Sequence, residues 1–286
     1  MKEKHFTFVS ICTLLFLCVA LQAQNFKLIP SGYFKNHGVD VMAFDDIYPE
    51  GHQGGICLIM HGHRIATNGD IRLEATPGQW QPVPKQLSRK IEGNSIIATL
   101  CYPDSSRHLT GFNPMIYPNL NFNYTVKVEG KSNHIEVTVD LDRPIPEEFN
   151  EKVGFNLEFF PGSLFGKPWI MNNLSGIYPQ QPSSPLMLSK PNHLHTGNFH
   201  DNKRSKADIN KLIRKGYSPI VADDIISEPY ATGTKFTSRP DDPYSKVTIE
   251  SLSGDLQLFD GRMNHNNGWF VLRSNIKPGV TKNAVK

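Results

Sequence analysis

Glycine and proline break this sequence at close, even intervals, and short runs of β-branched and aromatic residues fill the gaps. With 22 glycines and 21 prolines, few windows are left that hold several turns of helix. A strand needs only about four to eight residues, so strands are what the gaps accommodate. The segments that read as strands are Val39 to Phe44, Ile56 to Met60, Ile96 to Tyr102, Phe122 to Val128, His134 to Leu141, Val153 to Phe160, Lys246 to Leu252, Leu256 to Phe259 and Trp269 to Ser274. Val126 and Val128, followed by Ile135, Val137 and Val139, alternate with polar residues, which predicts a hairpin turning through residues 129–133 with one buried face. A second hairpin is expected where Leu252 turns through Ser253-Gly254-Asp255.

One segment has helical periodicity. Ser205 caps it, Asp208 follows three residues later, Ile209, Leu212 and Ile213 form its stripe, and Gly216 stops it. This helix, Lys206 to Lys215, lies inside a polar stretch from Ser183 to Ser245 that reads as a long connection. The expected fold class is all-β: a large β-sandwich or supersandwich, or two packed sandwiches, with one short helix in an insertion.

The N-terminus reads as an export signal. Charged residues at Lys2, Glu3 and Lys4 precede an apolar, uncharged run from Phe6 to Ala20, and Ala23 offers a cleavage site, so residues 1–23 are expected to leave and residues 24–286 to form the exported domain. The run covers 15 residues, short of the roughly 20 that a membrane-spanning helix requires. No stable membrane span is expected. Loss of Lys2, Lys4 and Glu3 takes the formal charge from +3 to +2, and no basic run remains of the kind that nucleic acid attracts. Cys57 and Cys101 remain in the exported chain, and in an oxidising compartment they allow either one disulfide or two buried thiols.

Enzymatic motifs are scarce. Glycoside cleavage needs two opposed carboxyl groups, and adjacent acids occur at Asp45-Asp46, Glu147-Glu148, Asp223-Asp224 and Asp241-Asp242. Neighbours on a strand point to opposite faces, so none of these pairs is by itself a dyad. Neither a nucleophile elbow nor a glycine-rich phosphate loop is present, and no cofactor is expected. His193, His195 and His200 come nearest to a metal motif, with His61 and His63 a second same-face pair; in polar loops such histidines serve more often as hydrogen-bonding groups. Trp80, Trp169 and Trp269 each follow a turn rich in glycine, proline or asparagine, where an indole face can be offered to a pyranose ring. The competing reading makes the same rings caps on the sandwich core.

Four segments carry a family likeness. They are residues 61–73 (His61 to Leu73), 76–80 (Thr76 to Trp80), 153–167 (Val153 to Lys167) and 258–271 (Leu258 to Val271). Together they resemble the N-terminal β-rich region of large secreted glycoside hydrolases of Bacteroidetes type, usually assigned to family nine, the cellulase-like inverting enzymes. That resemblance implies a β-rich accessory region, with the catalytic carboxylates on a helical barrel outside this chain. It implies polysaccharide or oligosaccharide as partner, and a glycoside hydrolase catalytic module as a second. Two other readings stay open: a glycosidase or sugar epimerase using carboxylates from distant strands, and a structural module with no ligand.

Overall fold

The computed structural model describes residues 25–46, 54–73, 83–104, 119–180, 228–263 and 269–286. In the first third of the chain the strands are β1 (Lys27–Leu28), β2 (Phe34–Asn36), β3 (Val39–Ala43), β4 (Ile56–Met60), β5 (His63–Leu73), β6 (Lys85–Glu92) and β7 (Ser95–Tyr102). The middle adds β8 (Phe122–Gly130), β9 (Ile135–Leu141), β10 (Val153–Phe159), β11 (Pro168–Met171) and β12 (Leu174–Ile177). The last part supplies β13 (Ala231–Gly233), β14 (Lys235–Ser238), β15 (Val247–Glu250), β16 (Leu256–Asp260), β17 (Phe270–Asn275) and β18 (Lys282–Val285).

These strands form three antiparallel sheets, and the protein is an all-β sandwich. The largest sheet has nine strands in the order β1-β2-β3-β4-β5-β10-β17-β16-β13, the second has five in the order β18-β9-β8-β7-β6, and the third has four in the order β12-β11-β14-β15. Buried residues of all three meet in one hydrophobic core. Period-two alternation builds the five-stranded sheet: Ile96, Ala98, Leu100 and Tyr102 of β7, and Tyr124, Val126 and Val128 of β8, all point inward. Its outer strand β6 is edged by Lys85, Lys90 and Glu92, which discourages pairing with another chain. Among the described residues no helix is long and apolar enough to cross a membrane.

The expected hairpin between β8 and β9 forms, with Gly130 opposite Ile135 and the turn one residue tighter than its sequence suggested. The second expected hairpin does not. β15 pairs with β14 in the four-stranded sheet, whereas β16 pairs with β13 and β17 in the nine-stranded one. The turn at Ser253-Gly254-Asp255 therefore carries the chain from one sheet to another. The polar stretch from 183 to 245 also needs correcting at its C-terminal end, because β13 and β14 belong to the sheets and Ala231 and Phe236 are core residues. The helix expected at 206–215 lies outside the described residues.

Candidate functional site

The centre of the nine-stranded sheet is unusually polar. β4 and β5 are joined by a two-residue turn of His61 (φ 50°) and Gly62 (φ 79°), so Met60 faces His63. Further along β5 the register with β10 slips, Asn68 takes up a left-handed conformation at φ 54°, and the strand resumes at Asp70 opposite Asn156. Asn156 faces Arg273 of β17, and Arg273 faces Gln257 of β16. One polar row thus crosses four strands. Residue 154 must be glycine for this packing, since a Cβ there would come within 2.7 Å of the Arg273 Nε and 2.8 Å of the Ser274 carbonyl.

Asp70 is fully buried and accepts a hydrogen bond from the Tyr124 hydroxyl at 2.8 Å and another from the Ile71 backbone N–H at 2.8 Å. Burial pushes its carboxyl from 3.8 up to about 6, against the opposing pull of Arg72, Tyr124 and the Ile71 amide. Burial also holds the Tyr124 hydroxyl well above its ordinary value, and the neighbouring Asp70 adds to that shift. Two residues beyond Asn156, the buried Glu158 accepts a hydrogen bond from Asn68 Nδ2 at 2.6 Å.

A second cluster lies where β10, β16 and β17 end. Arg262 donates to both carboxylate oxygens of Asp260, from Nε at 2.8 Å and Nη2 at 2.7 Å, and to the backbone carbonyls of Pro179 and Gln180, each at 2.7 Å. Its guanidinium lies over the rings of Phe165 and Phe270, 5.1 and 4.7 Å from their centroids. Tyr230 donates to Asp260 at 3.0 Å. Beside this clamp Trp269 is half-buried and meets Phe160 edge to face at 4.4 Å between ring centroids.

The residues singled out in the sequence fare differently. Trp80, His193, His195, His200 and the pair Asp223-Asp224 lie outside the described residues. Trp169 is 6% exposed on β11, packed against Gly176 of β12 so closely that any Cβ at 176 would overlap its ring. It is a core residue here, and Trp169→Ala should cost about 3–5 kcal/mol of stability, measured by chemical denaturation. Of Trp169 and Trp269, the two of these tryptophans that are described, Trp269 is the more exposed. His61 is used in its turn, with Nε2 3.0 Å from the Tyr244 carbonyl and its ring edge-on to Tyr244. No three His, Cys, Asp or Glu side chains among the described residues are grouped to hold a metal ion. Cys57 on β4 and Cys101 on β7 are free thiols in different sheets, and burial raises the pKa of each. Asp46 forms an ion pair with Arg64 at 2.8 Å, and Asp242 one with Arg239 at 2.6 Å.

Sequence reasoning gave no role to Asp70, Glu158, Asp260 or Arg262. The available signal was the string Asn68-Gly69-Asp70-Ile71-Arg72, with charges alternating around an isoleucine as strand residues do. Compared with models of protein families, with curated proteins and with solved structures, the chain matches none.

Proposed function

We propose that this chain is an exported, glycan-associated accessory domain of a polysaccharide-degrading glycoside hydrolase system, with Trp269 as its sugar platform. One observation carries the reading. Described residues of the segments 61–73, 153–167 and 258–271, far apart in sequence, lie on the neighbouring strands β5, β10, β17 and β16, so these three of the four segments of the likeness meet in one sheet; the fourth, 76–80, lies outside the described residues. Trp269 stands at the end of that sheet, beside the Asp260–Arg262 clamp; the residue is half-buried, and its indole is the group that would stack on a pyranose.

The rival enzyme reading would draw on Asp70 and Glu158, the carboxylates that distant strands bring to the same part of the sheet. Both are buried, Asp70 held by Tyr124 and Glu158 by Asn68, and a general acid has to touch the glycosidic oxygen. Their arrangement serves the register of β5 and β10 better than it serves hydrolysis.

Titration calorimetry with a glycan that the purified chain retains tests the platform. Trp269→Ala should weaken binding by roughly ten- to a hundredfold, about 1–3 kcal/mol by analogy with stacked bases. The variant's melting curve, recorded alongside, separates this loss from lost packing on Phe160. Full affinity in a folded Trp269→Ala protein would remove the indole from the site.

A further inference from the structure

The apolar side of the nine-stranded sheet encloses a cavity of about 370 Å³ that the polar row does not touch. Val39, Leu58 and Leu157 line it from that sheet, Ile135 from the five-stranded sheet, and Val247 and Ile249 from β15 of the four-stranded sheet. These six are only partly buried, whereas Val41, Leu256 and Leu272, which line it too, are buried, so the space between the three sheets is partly open to solvent. A dry apolar cavity of about 150 Å³ already accepts benzene, and small-molecule pockets begin at about 300 Å³. Apolar walls open to solvent keep apolar surface in water, and an apolar guest removes that surface from it.

We infer that this cavity binds a single-chain amphiphile with an anionic head, of the fatty-acid type. A sugar does not suit it, because the walls between the sheets could not replace the hydrogen bonds that each buried hydroxyl would lose. The charge of the lining decides the head group: Lys246, Lys286 and His134 belong to it, and among the described residues no acidic side chain does. Lys286 is held by Glu250 at 3.0 Å, so exposed Lys246 is the cation that meets the carboxylate. This site is separate from the Trp269 corner, and its success or failure leaves the glycan reading where it stands.

The test is displacement of fluorescent cis-parinarate from the purified chain by laurate, with dodecanol as the uncharged comparison. Expected are saturable displacement at one site below the micellar range and at least a tenfold loss of affinity in Leu58→Trp and in Val247→Trp, which fill the cavity from different sheets. Lys246→Ala should weaken laurate and leave dodecanol unchanged. Absence of saturable displacement, or parental affinity in either tryptophan variant with a native circular dichroism spectrum, overturns the inference. Should both variants fail to fold, photo-crosslinking the parent with a diazirine-bearing laurate decides. Label on peptides holding Leu58, Leu157 or Val247 supports the site, and label scattered elsewhere refutes it.

Discussion

Arg262→Ala is expected to lower the unfolding free energy by about 3–5 kcal/mol, the range for removing one partner of a buried ion pair. Asp260 is nearly inaccessible, its side chain 1% exposed, so its carboxylate cannot recover by hydration what it loses. The carbonyls of Pro179 and Gln180 lose a donor at the same time, and Phe165 and Phe270 lose the plate lying over them. Arg262→Lys should recover only part of the loss, because an ammonium can neither grip two carboxylate oxygens in one plane nor lie flat across two rings. Urea unfolding of the three proteins measures this directly. A loss under about 1 kcal/mol for the alanine variant would show that the clamp is ornamental to the fold.

The other large effect depends on pH and comes from Asp70. Its folded pKa of about 6 lies above the 3.8 of an unburied aspartate, so between those values the folded protein holds the proton more tightly than the unfolded chain does. Stability attributable to this group is therefore highest below pH 3.8 and falls as pH rises towards about 6. A rise of about two units corresponds to about 3 kcal/mol between the two limits. Asp70→Asn removes the titration while keeping an oxygen that can accept from Tyr124. The stability of the variant minus that of the parent should climb by about 3 kcal/mol from pH 3.5 to pH 7.5, whatever fixed offset the substitution adds. Denaturation midpoints across that range supply the curve. A flat difference would mean that Asp70 ionises as it does in water.

What the sequence reveals of this fold follows from which faces are wet. β7, β8 and β9 alternate apolar with polar because one face meets the core and the other meets water, so their period of two is visible. β5 hides because its second half is buried on both faces while carrying Asp70 and Arg72, and charge in a sequence ordinarily signals exposure. Cross-strand pairing, which the linear string does not display, is what makes those charges tolerable. β11 hides for another reason. Pro168 suggests a loop before Trp169, yet proline is permitted at the first residue of a strand, and Trp169, Ile170 and Met171 then alternate in, out and in. The turn after Leu252 has hairpin chemistry, but the partners of β15 and β16 are chosen by distant residues: Lys235 to Ser238 for one, Phe270 to Ser274 for the other.

The candidate site was legible only in part. Trp269 could be nominated from its neighbouring Asn266-Asn267-Gly268, whereas Trp169, flanked in much the same way, proved to be core, because the closeness of Gly176 is a property of the folded sheet. Asp260 and Arg262 stand two residues apart inside the segment 258–271, where nothing in the linear string marks them. Their importance rests on Phe165, Phe270 and the carbonyls of 179 and 180, which only the fold brings to them.

The most direct measurement passes the purified chain over a panel of immobilised glycans, recording both retention and sugar released into solution. A glycan-associated accessory domain predicts selective retention on at least one glycan with no release. Release that vanishes when Asp70 or Glu158 becomes its amide would contradict it in favour of an enzyme, and retention on none would leave a domain that binds no sugar.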